Sequence, residues 1–150
     1  MTLIRKATPA DTTAMTKLIT AAKAHWGYPN AWMQLWQDEL TITPQKLDER
    51  DFFVGVEGDE LVFVYSLSQL DETRYELEDC WVAAEHIGHG FGRILFDDVK
   101  KRLGSLGAKR LKIISDPNAA GFYRRMGAEQ TGEEPTKIEG RVFPVFELKL

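Results

Sequence analysis

Three glycines in five residues, Gly88-His89-Gly90-Phe91-Gly92, stand between a run that reads as a strand and one that reads as an amphipathic helix. Alternating glycines let the backbone curl until several N–H groups point one way. The helix that follows adds its own unbonded N–H groups and the positive end of its dipole. The chemistry on offer is anion binding, and the cradle suits a pyrophosphate; a tight turn without a ligand is the other reading. Two phosphate-binding loops do not fit. A P-loop needs Gly-Lys-Ser/Thr, which is missing here. A dinucleotide fingerprint needs an acid about 20 residues further on, at a strand end, and that stretch is Arg110-Leu111-Lys112.

Other residues with chemical capacity are scattered. Glu76, Glu78 and Asp79 precede the loop on a predicted strand, where alternation puts Glu76 and Glu78 on one face unless a bulge resets the phase. His25, Trp26 and Tyr28 cluster beside Gly27, a polar-aromatic group that can hold a cation by ring contacts or simply pack. His86 and His89 flank the glycine loop and suit phosphate contact or plain exposure. The single cysteine, Cys80, excludes an intramolecular disulfide and a cysteine-rich metal site. A lone cysteine in a strand is more often a small buried hydrophobe than a nucleophile. No metal site is expected.

The elements that must position these residues follow from periodicity. Thr8-Pro9-Ala10-Asp11 reads as a helix start, with a cap, a first-turn proline and an acid at the positive dipole end. Ala14, Met15, Leu18, Ile19 and Ala22 then recur at helical spacing. Gly27-Tyr28-Pro29 should break that helix, and a second, from Asn30 to about Leu40, carries Trp32, Leu35, Trp36 and Leu40 on one side. Phe52–Val56 and Leu61–Leu67, joined by Glu57-Gly58-Asp59-Glu60, read as a hairpin. Arg74–Val82 is a third strand. After the loop comes a helix with Phe91, Ile94, Leu95, Val99 and Leu103 on one face, ended by Gly104 and Gly107. Arg110–Ser115 is a strand, Asp116-Pro117-Asn118 starts a short helix that Gly127 stops, and Arg141–Leu150 is a closing strand interrupted by Pro144. The order is that of an α/β domain with a mixed sheet: a hairpin, then one strand–helix–strand crossover.

Length and composition set the limits. The chain has 150 residues, 43% hydrophobic and 28% charged, which fits one globular domain spanning residues 1–150. A net charge of −4 argues against nucleic acid. The basic residues Lys100, Lys101, Arg102, Lys109, Arg110 and Lys112 read first as a solvated helix face and strand end, and second as a contact zone for a phosphorylated ligand. No apolar run approaches the length of a membrane span. The segment Met1–Lys6 lacks the apolar core of a secretory signal. Low cysteine use fits a reducing, cytoplasmic compartment.

With these residues in view, the chain resembles the GCN5-related N-acetyltransferase family. That family's loop is Gln/Arg-x-x-Gly-x-Gly/Ala; here it reads Ile87-Gly88-His89-Gly90-Phe91-Gly92, with Gly90 and Gly92 at the two small positions and Ile87 in place of the polar residue. Asn118-Ala119-Ala120-Gly121-Phe122-Tyr123-Arg124-Arg125-Met126-Gly127-Ala128 is similar to the family's Asn-x-x-Ala/Gly-x-x-Tyr-x-x-x-Gly-Phe segment, with Ala128 at the Phe position. Lys23–Tyr28, Asp116–Ala119 and Gly140–Pro144 are similar to a bacterial subgroup of largely unassigned acetyltransferases. The resemblance implies a mixed, mostly antiparallel sheet of about six to seven strands flanked by about four helices.

It also implies roles. Acetyl-coenzyme A would be the co-substrate, held by Trp81, Val82, the loop Ile87, Gly88, His89, Gly90, Phe91, Gly92 and Arg93, and by Asn118 and Phe122. The thioester would lie beside a splayed strand around Cys80, Trp81 and Val82, where a backbone N–H polarises its carbonyl. Tyr123 would point at the sulfur as the general acid, since a phenol is protonated at neutral pH, with a core aromatic on the short helix as the competing reading. Glu78, then Glu76, are the candidate bases, with a solvated strand edge as the competing reading. His25, Trp26 and Tyr28 would form one wall of the acceptor cleft. The acceptor would be a small-molecule or peptide amine, attacking directly in a ternary complex. Independently of the resemblance, the charge of Asp71, Glu72, Glu76, Glu78 and Asp79 suits a cation such as a polyamine, an aminoglycoside or a peptide N-terminus, with plain surface as the other reading. A coenzyme A-binding sensor without turnover is the alternative; it would not need Tyr123. A homodimer through the sheet edge or the aromatic second helix fits the pattern equally well.

Overall fold

The computed structural model describes all 150 residues. Its first helix starts where the sequence places it. Asp11 accepts the Thr8 backbone N–H at 2.8 Å, and Arg5 closes on the same carboxylate through two bonds of 2.8 and 2.9 Å. Helix α1 (Thr12–Ala24) buries Met15, Leu18, Ile19, Ala22 and Lys23. Ala14, expected on that face, is exposed. Gly27, at φ +78°, takes the chain out of the helix.

The contacts cluster into two compact units: residues 1–67 with 79–95, and residues 68–78 with 96–150. In the first, β1 (Leu3–Lys6) pairs antiparallel with β2 (Asp51–Glu57), which forms the expected hairpin with β3 (Glu60–Gln69). Gly55 faces Phe63 across that hairpin, and a Cβ on Gly55 would stand 2.5 Å from the Phe63 ring. The glycine is what lets a fully buried phenylalanine lie flat across the neighbouring strand. Met15, Ile19, Phe52, Val54 and Tyr65 complete this core.

In the second unit, the start of β4 (Arg74–Val82) runs parallel to β5 (Arg110–Ile114), from Arg74↔Arg110 to Leu77↔Ile113. β7 (Val142–Lys149) pairs antiparallel with β5 on one side and with β6 (Glu129–Pro135) on the other. Phe96, Val99, Leu103, Leu111, Ile113 and Phe146 are buried there. The strand order is β1-β2-β3-β4-β5-β7-β6, a seven-stranded mixed sheet in which β4 and β5 are parallel, as the crossover between them requires.

Four details differ from the sequence reading. The second helix is two, α2 (Asn30–Leu35) and α3 (Gln37–Leu40), divided at Trp36, and Leu35 faces solvent. A further helix, α4 (Pro44–Glu49), is capped by Thr43, whose hydroxyl accepts the Lys46 N–H at 3.3 Å. With α5 (Phe91–Ser105) and α6 (Ala120–Arg125) the helices number six, not about four. On α5 Ile94 points outward and Phe96 takes its place in the core. The closing strand runs through Pro144, which lies one residue past the last β5 pair, Ile114↔Val145, where a missing N–H breaks no bond to β5. No helix is long and apolar enough to cross a membrane.

Candidate active site

The glycine loop has the backbone its composition implies. A short 3-10 turn over Ala84–His86 leads into it, and Gly88 and Gly90 have φ of +85° and +87°. Open space surrounds both positions, so glycine is required there by conformation and not by crowding. Helix α5 starts at once: its first backbone bond runs from the Ile94 N–H to the Gly90 carbonyl, at 3.3 Å. The N–H groups of Phe91, Gly92 and Arg93 therefore precede the helical ladder. The first turn of α5 carries no acid to compete for them. Gly88, His89, Gly90 and Arg93 are exposed, and Ile87, Phe91 and Gly92 are half-buried. The His86 ring packs edge-on against Phe91, with centroids 5.0 Å apart, and its Nε2 lies 3.3 Å from Glu60 Oε1. Glu60, Glu85 and His86 each bring a ligand atom within 4.8 Å of the others at the surface.

The strand before the loop is irregular where the sequence expected chemistry. Burial alternates through Tyr75 and Leu77, and from Glu78 to Val82 every residue is half-buried. Cys80 is thus less enclosed than a structural cysteine would be. The change of phase coincides with Asp79, which has φ +51° and is the one non-glycine residue in the left-handed region. Beyond it, Trp81 and Val82 lead to Ala83, whose N–H bonds the Val62 carbonyl at 2.9 Å. Glu76 lies 3.9 Å from Lys112, its neighbour in register on β5. Glu78 is half-buried.

The aromatic cluster contains a residue that sequence reasoning missed. Lys23 is only 4% exposed. Its ammonium lies over the rings of Trp36, Tyr28 and Trp81, at 4.1, 4.8 and 5.6 Å from their centroids. Tyr28, Trp32 and Trp36 contact one another, Tyr28 and Trp36 edge to face at 5.0 Å. The cation held by these rings comes from the chain itself. His25 and Trp26 stand apart at the surface, edge to face with each other at 5.0 Å. The signal for Lys23 was available: Met15, Ile19 and Lys23 are spaced by four along one helix face.

In the second unit, the short helix begins as Asp116-Pro117-Asn118 implies. Asp116 accepts from both the backbone N–H and the side-chain amide of Asn118, at 2.9 and 3.0 Å. Asn118 is exposed. Tyr123 on α6 is 5% exposed. Its ring meets those of Phe122, Phe96 and Phe146 at 5.3 to 6.1 Å. Gly127, at φ +97°, ends the turn after α6, and the Ala128 N–H returns to the Tyr123 carbonyl at 3.0 Å.

Comparison with known proteins agrees with this geometry. The model of the acetyltransferase (GNAT) family matches residues 14–128. No curated protein matches the chain. Among solved structures, a GCN5-related N-acetyltransferase from Rhodopseudomonas palustris superposes with a TM-score of 0.82 at 18% identity, over 99% of this chain and 95% of that one. The PaiA N-acetyltransferase of Thermoplasma acidophilum, solved with coenzyme A, gives 0.82 at 16% identity, over 100% and 99%. A GNAT acetyltransferase from Elizabethkingia anophelis, solved with acetyl-CoA, gives 0.69 at 18%, over 99% and 98%. At these identities the likeness is one of fold.

Proposed function

Because the chain belongs to the acetyltransferase (GNAT) family, we propose that it moves an acetyl group from acetyl-CoA to a primary amine by direct attack in a ternary complex. The observation that carries the proposal is the loop: two left-handed glycines in open space opening onto a 15-residue helix with no acid in its first turn. That is a built anion cradle, and the pyrophosphate of the coenzyme is the anion it suits. Asn118 would hold the pantetheine arm. No step calls for a metal ion.

The chemistry is as follows. Glu78, directly or through water, takes a proton from the acceptor ammonium. Glu76 is the second choice, since its carboxylate already lies near Lys112. The free amine attacks the thioester carbonyl, whose oxygen takes charge and is met by a backbone N–H of the Cys80–Val82 segment. The C–S bond breaks, Tyr123 delivers its phenolic proton to the departing thiolate, and the second proton lost by the acylated nitrogen restores the phenol, so that the proton on Glu78 is the one released to solvent. Cys80 takes no covalent part. His25 and Trp26 line the acceptor side at the surface, and Tyr28 does so with its ring already engaged by Lys23. The enzyme would work in the cytoplasm, singly or as a homodimer.

The test is release of coenzyme A thiol from acetyl-CoA with spermidine, kanamycin and a peptide with a free N-terminus, for wild type and Tyr123→Phe. The expected result is turnover on at least one amine, with kcat lower by about tenfold or more in the variant and coenzyme affinity kept. Full activity in Tyr123→Phe would remove Tyr123 as the acid. Coenzyme binding without turnover on any amine would favour the sensor reading.

A further inference from the structure

One carboxylate on β4 is held in a way the transfer chemistry does not by itself explain. Asp79 is left-handed in the middle of a strand, a conformation that residues with a Cβ rarely adopt and that persists only when the surroundings enforce it. The surroundings here are specific. Asp79 Oδ2 accepts from Arg50 Nε at 3.0 Å and Nη2 at 2.9 Å, and from Ser66 Oγ at 2.8 Å. Ser66 is fully buried, and Arg50 and Asp79 are partly buried, their side chains 17% and 12% exposed. Ser66 lies on β3 in register with Phe52 on β2, and the Arg50 guanidinium lies 5.1 Å from the Phe52 ring. Two of the three donors thus come from the residue that enters β2 and one from β3, and they converge on a single oxygen of the one strained residue.

We propose that Arg50 and Ser66 are positioning residues: by gripping Asp79 they hold the backbone left-handed there, and so set the direction of the Cys80 and Trp81 N–H groups. The registered pairing of β4 with β5 ends at Leu77↔Ile113, two residues before Asp79. A strand continuing in phase would keep its alternation; this one loses it from Asp79 onward. The clamp therefore stands where β4 has left its partner β5 while still a strand and, on the acyl-transfer reading above, serves the thioester. A charge-assisted grip fits that task, because an oxyanion donor must be aimed before charge develops.

The test uses the full chain and two separate readouts. Amide hydrogen exchange reads the clamp without reference to activity. In Asp79→Ala, exchange at Cys80 and Trp81 should rise about tenfold or more while Tyr75 and Leu77 keep their protection. Kinetics on the best amine of the panel reads the function: kcat should fall about tenfold with the KM for acetyl-CoA within about twofold. Asp79→Asn should recover most of kcat, since Asn tolerates the left-handed region and keeps an acceptor for Ser66. If Asp79→Ala does not fold, Ser66→Ala, which removes one of the three bonds, should move both readouts in the same direction by a smaller factor. Unchanged exchange at Cys80 and Trp81 would overturn the clamp. Faster exchange with unchanged kcat, or a loss in Asp79→Asn as large as in Asp79→Ala, would overturn its positioning role. Absence of acetyl-CoA binding in the wild type would instead overturn the acyl-transfer reading and leave the exchange result standing.

Discussion

At the residue scale, the anion cradle depends on φ at two glycines. Gly90 has φ +87° and no atom within 4 Å of where a Cβ would stand. A side chain would fit in space, yet the backbone would have to bear it in a region that L-residues avoid. Aspartate adds a negative charge at the mouth of the N–H groups that would receive phosphate. Gly90→Asp should therefore fold and fail to bind acetyl-CoA by calorimetry; unchanged affinity would place the coenzyme elsewhere. Legibility at this scale was uneven. The loop could be read because its chemistry is local: three glycines and a helix start, contiguous in the chain. The Asp79 clamp could not, because Arg50, Ser66 and Asp79 come from three segments, the entry to β2, β3 and β4, that meet only in the folded sheet. The cation among the aromatic rings could be half read. The rings are adjacent in sequence, but a lysine on a helix reads as solvated until its neighbours at spacing four show which face it shares.

At the element scale, the start of α1 rests on one carboxylate. Asp11 is held down to about 2 from an ordinary value of 3.8, first by the hydrogen bond from Arg5 and then by the Thr8 backbone N–H, against the opposing effect of burial. A carboxyl whose folded pKa is depressed binds its proton more weakly in the folded chain than in the unfolded one. The resulting stability is fully present above the unfolded value, near pH 4, and is lost as pH falls towards 2. Asp11→Asn should lower stability at pH 7 by roughly 1–2 kcal/mol. The gap between variant and wild type in urea unfolding should close between pH 4 and pH 2; a constant gap would show that geometry, not ionisation, carries the effect. That start was legible because capping residues are consecutive. Strand β6 was not: Glu129–Pro135 is exposed almost throughout, so no apolar face imposed an alternation to read. The division at Trp36 was hidden for the opposite reason, since Trp32, Trp36 and Leu40 keep helical spacing straight through it.

At the scale of the whole molecule, the hairpin and the one crossover followed from element order, because they leave few ways to pair those strands, while the two edge strands β1 and β6 carried no signal that was read. The family motifs supplied the ligand. What unites them is thermodynamic and testable without knowing the acceptor. A ligand that binds only the folded chain stabilises it by mass action, by about 2.7 kcal/mol at a hundred times its dissociation constant. For 150 residues that is a rise of roughly 5–11 °C in the unfolding midpoint. Thermal unfolding with acetyl-CoA should show this rise, and NAD, which also carries a pyrophosphate, should not. A rise with both would mean that the cradle reads pyrophosphate alone. A rise with neither at millimolar ligand would leave Gly88 and Gly90 as a turn that lets the chain enter α5, and would withdraw the loop as the support for the proposed function. A rise with acetyl-CoA alone requires recognition beyond the phosphates, by the groups assigned to the pantetheine arm and thioester.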